Sequence, residues 1–205
     1  MVRAMLDTVP TPVLDDLRRR HAEPQRFYHD WSHVEALLRH FAATRDGIAD
    51  PEAVLYAILF HDAVYDPTAK DNERRSAALL NTALAGPDAP LAPASRALAE
   101  RMILATEGHR LPEPAGLGDD DLAHFLDMDL AILGASEERF DIYEDQIRRE
   151  YAHVPPDAYR KGRSAVLESF AARPLLYFTD WGRSRFEGPA RANVSRSLAR
   201  LAASE

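Results

Sequence analysis

Cysteine is absent from this chain of 205 residues, so neither a disulfide bond nor a thiolate metal site can form. Long apolar runs are absent as well, because none approaches the roughly 20 residues that a membrane helix needs. The first residues contain no apolar segment of signal-peptide length. We therefore expect a cytoplasmic protein without a membrane partner.

Basic residues are fewer than acidic ones, with 25 Lys and Arg against 33 Asp and Glu, and the formal net charge is −8. Broad, sequence-independent binding to nucleic acid requires a basic surface. The composition argues against that class of function and leaves room only for a local basic pocket.

Strand patterns are missing too, since no segment alternates apolar and polar residues with enrichment in β-branched side chains. Helix signals recur instead at short intervals, and the 46% of hydrophobic residues suffices for one core. No linker-like or repeated segment divides the chain. We predict an all-α fold, with a single domain over residues 1–205 and its core over about residues 10–200.

Local signals predict the positions of three helices. Ser32 and Glu35 have capping-box spacing, which starts a helix at about Asp30 or Ser32. Apolar periodicity continues over residues 119–133 and predicts one helix there. Near the end of the chain, Gly188-Pro189 is expected to open the last helix.

The most informative segment is a buried helix that ends in a histidine and an aspartate. Asp50 and Pro51 suit its start, an apolar run over residues 53–60 follows, and His61-Asp62 comes directly after the run. Burying an imidazole and a carboxylate side by side costs free energy unless a partner compensates their polarity. A cation would supply that compensation, so the pair indicates a metal site.

Further residues of ligand type lie upstream and downstream of this pair. His29 and His33 are four residues apart, which is about one helical turn. Asp127 and Asp129 lie inside a later apolar helix, where a spacing of two residues puts only one of them on the inward face. The order of candidate ligands along the chain is His, His-Asp, Asp.

Two imidazoles and two carboxylates, without sulfur, suit one divalent ion of Mn, Fe, Co, Ni or Mg in octahedral geometry. Four protein ligands leave two positions open, and open positions favour catalysis over a purely structural role. Residues 61 and 62 point about 100° apart on a helix, so both reach one ion only near the helix end.

With these residues the chain resembles the HD-domain superfamily of metal-dependent phosphohydrolases, and more narrowly a family of bacterial predicted HD phosphohydrolases. The match covers roughly residues 10–200. The motifs that carry it are Tyr28-His29 with His33, Phe60-His61-Asp62, Asp71-Asn72-Glu73 with Ser76, Thr106 with His109, Asp129 to Gly134, Ile147-Arg148 with Glu150-Tyr151, and Gly162-Arg163. The resemblance implies an HD-type helical bundle with one metal site between helices, and its ligands would be His33, His61, Asp62 and Asp129.

Residues around these ligands receive expected roles. Glu73 opens the helix after His61-Asp62 and is the candidate general base, with Asp62 as a catalytic ligand. The alternative for Glu73 is a carboxylate that only benefits from the helix dipole. The expected substrate-binding residues are Arg26, His29, His109, Arg148, Tyr151 and Arg163. Capping, solvation and structural salt bridges are the alternative roles for that set.

The expected activity is hydrolysis of a phosphomonoester or phosphodiester, and the superfamily suggests a nucleotide or a related small phosphorylated metabolite as substrate. One alternative is a metal-organised nucleotide-binding or sensor module without turnover. Another is a non-phosphate HD-type metalloenzyme, which is disfavoured because only His109 and His124 lie between the His-Asp pair and Asp129 to serve a second iron. A homodimer is left open.

Overall fold

The computed structural model describes residues 2–86, 89–112, 116 and 118–203. These residues form helices, turns and loops without a strand, which confirms the predicted all-α class. In the same residues, no helix combines the length and the apolar character needed to cross a lipid bilayer. The sequence also predicts that Gly86 and Pro87 end a helix and that a loop with two prolines and two glycines runs from Leu111 to Gly118. Pro87 and four residues of that loop lie outside the described ranges.

Two compact units make up the chain, Met1–Met128 and Asp129–Glu205. The boundary falls at the last residue of a helix, so Asp129 is carried by the same helix as the residues before it. A single domain over residues 1–205 stays a prediction.

The first unit is built from seven helices in the described residues. They are α1 (Val2–Leu6), α2 (Thr11–His21), α3 (Trp31–Thr44), α4 (Pro51–Phe60), α5 (Asn72–Ala83), α6 (Pro93–Ala105) and α7 (Asp119–Asp129), with a short 3-10 helix at Arg45–Gly47. Helix α4 is apolar on all sides, and every residue from Ala53 to Phe60 is buried. Because such a helix must be covered all round, α3, α5 and α6 pack against it, and its end becomes an interior position.

Side-chain caps fix where the helices near that position begin. Asp50 accepts a hydrogen bond from the Ala53 amide at 2.9 Å, which confirms the predicted N-cap of α4. Of the two predicted starts of α3, the one at Asp30 is confirmed, because Asp30 is the N-cap and accepts from the Ser32 amide at 2.8 Å, and the capping box that would begin at Ser32 is wrong. An aspartate two residues earlier reaches the free amides of the first turn, so α3 begins at Trp31.

The second unit contains a 3-10 helix (Leu130–Gly134) followed by α8 (Glu137–Glu150), α9 (Pro156–Ala171) and α10 (Asp180–Ala203). The helix predicted over residues 119–133 therefore changes from α to 3-10 after Asp129. Helix α10 packs on this 3-10 segment, where a Cβ on Gly134 would lie 2.6 Å from the Cβ of Phe186. Only glycine permits that approach.

The predicted start of the last helix at Gly188-Pro189 is wrong. Helix α10 begins at Asp180, where Thr179 Oγ1 accepts a hydrogen bond from the Gly182 amide at 3.0 Å, and Pro189 lies inside the helix. Proline is common in the first turn of a helix, which is why Pro189 resembles a helix start. Here the cap at Thr179 starts the helix earlier, and the helix continues past Pro189.

His21, the last residue of α2, is a buried ionisable group of the first unit. Its side chain donates from Nδ1 to the Leu17 carbonyl oxygen at 2.9 Å, and its Nε2 has no hydrogen-bond partner in the described residues. Burial lowers the pKa of His21 from 6.5 to about 4, because a charged ring would lose its hydration without gaining an acceptor.

We predict that His21 makes the fold less stable as the pH falls from about 6.5 to about 4. The unfolded chain binds the His21 proton near the ordinary pKa and the folded chain only at the lowered one, so the free energy of unfolding decreases across this window. At about 1.4 kcal/mol per pKa unit, the contribution is about 3 kcal/mol. Denaturant titrations near pH 7 and pH 4 should show a smaller loss for His21→Leu than for the wild type. Equal losses would contradict this assignment.

Candidate metal centre

Two histidines of the first unit bring their imidazole rings together. His33 lies in the first turn of α3, and His61 directly follows α4 and caps its end. Their Nε2 atoms are 3.1 Å apart, and both residues are buried. Such a contact between two basic nitrogens needs a shared proton or a cation.

The protonation of His61 is set by a carbonyl of its own helix. The Nδ1 atom of His61 lies 3.0 Å from the carbonyl oxygen of Ile58. Because a carbonyl only accepts, Nδ1 carries a proton, so in the neutral tautomer Nε2 is the ring nitrogen that offers its lone pair to a cation. Metal-ligating imidazoles usually use their second ring nitrogen in this way.

Asp62 adds a carboxylate to the two imidazoles. Its Oδ2 lies 3.0 Å from Nε2 of His61 and 3.6 Å from Nε2 of His33. Burial by itself raises the pKa of Asp62, but the surrounding imidazoles, His61 foremost, lower it well below its ordinary value. The Asp62 side chain is 21% exposed, against 3% for His33 and 1% for His61. The carboxylate is thus ionised and forms the side of the cluster that solvent reaches.

Asp129, the last residue of α7, completes the set of candidate ligands. One ligand atom each from His33, His61 and Asp129 lies within 4.8 Å of the other two, so this group can hold a metal ion. Asp62 is outside the three-residue group, although its Oδ2 contacts both imidazoles.

The distances and charges in this cluster fit a divalent cation. Two atoms that each lie about 2.1 Å from one ion, at right angles, are about 3.0 Å apart. The Nε2 atoms are 3.1 Å apart, and Asp62 Oδ2 lies 3.0 Å from the nearer of them. Two neutral imidazoles with the carboxylates of Asp62 and Asp129 carry a charge of about −2, which one divalent ion neutralises.

The predicted substrate residues next to this cluster are His29 and Arg26. The ring of His29 stacks on Tyr65 with a centroid distance of 4.4 Å and lies 5.9 Å from the ring of His33. The Arg26 side chain is 0% exposed, and its hydrogen bonds go to Glu23 and to backbone carbonyls. For both residues the substrate contact stays a prediction, while the observed bonds of Arg26 are those of a residue that holds the backbone in place.

Glu73 lies in the first turn of α5 and is half-exposed. Two neighbours tie this turn to the loop that follows His61-Asp62. The Asn72 side chain exchanges hydrogen bonds with the Asp66 backbone at 3.1 and 2.9 Å, and Ser76 Oγ accepts from the Val64 amide at 3.0 Å. Because side chains three residues apart are neighbours on a helix, Glu73 lies beside Ser76 on α5, and its role as general base stays a prediction.

The remaining predicted substrate residues are mostly engaged in local structure. In the second unit, Arg148 donates to the carbonyl oxygens of Tyr151 and Val154 at 2.7 and 3.2 Å. Its guanidinium lies over the ring of Tyr159, and this contact connects α8 to α9. Tyr151 caps the end of α8. In the first unit, His109 follows α6 and adopts a left-handed backbone with φ of 46°. The substrate roles of these three residues stay predictions.

Arg163 belongs to a buried polar network inside the second unit. It forms an ion pair with Glu144 and donates to the Tyr143 hydroxyl at 3.1 Å, while Ser197 donates to Glu144 at 2.8 Å. Burial raises the pKa of Tyr143, and the charge of Asp129 adds to that rise. The network therefore lies within electrostatic range of a candidate ligand.

Sequence reasoning missed Tyr65 and Tyr143, which contact predicted site residues. Tyr65 follows the His-Asp pair by three positions and stacks on His29, and Tyr143 directly precedes Glu144 and accepts a hydrogen bond from Arg163. A lone tyrosine in a loop or helix carries no spacing signal, so only their closeness to the motif could have indicated them.

No family model matches the chain, and neither does any curated protein or solved structure.

Proposed function

We propose that the protein is a metal-dependent phosphohydrolase of the HD type, which cleaves a phosphomonoester or phosphodiester. The observation that carries the proposal is the convergence of His33 Nε2, His61 Nε2 and Asp62 Oδ2 at the end of α4, with Asp129 within ligand distance of the histidines. A cluster of nitrogen and oxygen ligands with an exposed carboxylate edge suits catalysis better than a closed structural site.

When bound, the ion would supply Lewis-acid chemistry, because it polarises a phosphoryl oxygen and makes water more acidic. The ligands would be His33, His61, Asp62 and Asp129. The buried imidazoles keep solvent away from the inner side, so that substrate and water approach from the side of Asp62. Glu73, in the first turn of α5, would accept the proton of the attacking water.

The proposed substrate is a nucleotide or another small phosphorylated metabolite, on the ground of the resemblance to the HD superfamily. A phosphate ester fits this site because its anionic oxygens match a cation, and the net charge of −8 of the whole chain makes a long polyanion a poor partner. Only His109 and His124 lie between the His-Asp pair and Asp129 in the sequence, and this small number of histidines argues against a di-iron lyase or oxygenase.

The test is turnover by purified protein of a panel of phosphate esters in the presence of Mn²⁺, Co²⁺, Ni²⁺ or Mg²⁺. The panel holds nucleoside phosphates, sugar phosphates and a chromogenic phosphodiester; phosphate release is measured for the monoesters, and release of the chromophore is measured for the phosphodiester. We expect at least one ester to be hydrolysed by the wild type and not by His33→Ala prepared in parallel. His124→Ala, which removes a half-buried histidine outside the ligand set, should keep the activity.

Tight binding of a nucleotide without hydrolysis of any ester in the panel would instead support a sensor module. Turnover that His33→Ala retains would point to a contaminating enzyme and would remove the support for the proposed activity.

A further inference from the structure

The Arg26 guanidinium connects the two segments that carry the histidine ligands. Its Nη1 donates to the His29 carbonyl oxygen at 3.0 Å and to the Asp62 carbonyl oxygen at 2.6 Å. Its Nη2 donates to the Ala63 carbonyl oxygen at 3.3 Å, and its Nε donates to the Glu23 carboxylate at 3.1 Å. One side chain thus donates hydrogen bonds to three backbone carbonyls that lie outside the helices.

These carbonyls belong to the residues whose placement sets the geometry of the cluster. His29 precedes α3 by two residues, and His33 lies in the first turn of that helix. Asp62 and Ala63 follow His61 at the end of α4. A displacement of either segment relative to the other would change the distances from His33 to His61 and Asp62.

Burial makes these bonds strong and leaves Arg26 little freedom for another task. The Arg26 side chain is 0% exposed, and its guanidinium lies 5.4 Å from the centroid of the Tyr65 ring. Tyr65 in turn stacks on His29. Hydrogen bonds from a charged donor in a buried position are among the stronger ones, and unpaired carbonyls there are costly.

We propose that Arg26 is a positioning residue of the metal centre, which fixes the His61–Ala63 segment against the start of α3 and so holds His33, His61 and Asp62 at ligand distances. The proposal rests on the metal site of the proposed function. It requires only metal binding, and it is independent of the substrate and of turnover.

The test measures Co²⁺ affinity and the visible absorption of bound Co²⁺ in the wild type, Arg26→Lys and Arg191→Lys. Lysine keeps the charge but cannot reach three carbonyls and a carboxylate at once. Loss of a residue that orients metal ligands typically lowers affinity about 10–100-fold. We expect a loss in this range and a changed spectrum for Arg26→Lys, with kcat falling in parallel.

Arg191 is a matched control because its guanidinium has the same set of partners elsewhere. It donates to the carbonyl oxygens of Ala171, Arg173 and Pro174 at 3.1, 2.8 and 3.0 Å, and its Nε donates to Glu187 at 2.9 Å. Arg191→Lys should therefore change stability without changing Co²⁺ affinity or the spectrum.

If Arg26→Lys does not fold, Glu23→Gln replaces it, because Glu23 is a half-exposed residue that orients Arg26 through Nε. It should give a smaller loss of Co²⁺ affinity in the same direction. Unchanged affinity in the folded variant would overturn the proposal, as would a raised KM with unchanged affinity, since that result indicates direct contact with substrate. A wild type that binds no Co²⁺ would overturn the metal centre itself, whereas binding that Arg26→Lys retains would overturn only the role of Arg26.

Discussion

Replacing Asp62 by alanine is expected to remove bound metal and hydrolytic activity together. The Asp62 carboxylate is ionised and lies close to both imidazoles, at 3.0 Å from His61 Nε2 and 3.6 Å from His33 Nε2. Without it the cluster loses one of its two negative charges and a ligand oxygen, so a divalent ion is no longer neutralised. Elemental analysis after gel filtration should show metal near background, and turnover should fall to the uncatalysed level.

The control for this change is Asp66→Ala in the same loop. Asp66 is half-exposed, and its carboxylate accepts from the Thr68 amide at 2.9 Å and from the Thr68 hydroxyl at 2.7 Å, which is an ordinary turn interaction. Its loss should leave metal content unchanged. Full metal content in Asp62→Ala would refute the ligand assignment, and loss of metal in both variants would show that the loop, rather than the carboxylate, supports the site.

The helices that the sequence predicts well are those whose start has its own chemistry. Asp50 and Pro51 start α4 as predicted, because a cap and a proline act within one turn. The start of α10 was misplaced for the opposite reason. Proline at position 189 resembles a start, while the cap at Thr179 and the close packing of Gly134 on Phe186 involve residues far from it. Such tertiary contacts cannot be inferred from a local pattern.

In the candidate site, too, the sequence predicts some residues and not others. His61 and Asp62 were predicted because a polar pair at the end of a buried apolar run is a conflict visible in the sequence itself. The bonds of Arg26 were not, since three of its partners are backbone carbonyls, and every residue has one. Side-chain ligands therefore leave a signature in the sequence, whereas the residues that hold them in place do not.

Replacing Glu73 by glutamine is expected to lower kcat by about 10²–10⁴ while metal content stays nearly stoichiometric. Glu73 shares its helix face with Ser76, which bonds the loop after the His-Asp pair, and it is outside the ligand set. Glutamine keeps the shape and removes the ability to take a proton. Single-turnover rates, metal analysis and thermal melting on one preparation separate an effect on the proton transfer from an effect on binding or folding.

The alternative is that Glu73 only stabilises the start of α5, as acidic residues in a first helical turn do by about 0.3–1 kcal/mol. Glu52→Gln tests this, because Glu52 is an exposed carboxylate in the first turn of α4 and has the same relation to its helix dipole. If Glu73 accepts the proton, both variants should lose a similar, small amount of stability, and only Glu73→Gln should lose turnover. Equal kcat in the two variants, with equally lowered melting temperatures, would assign Glu73 to the helix dipole and leave the proton acceptor to be sought among the ligand carboxylates.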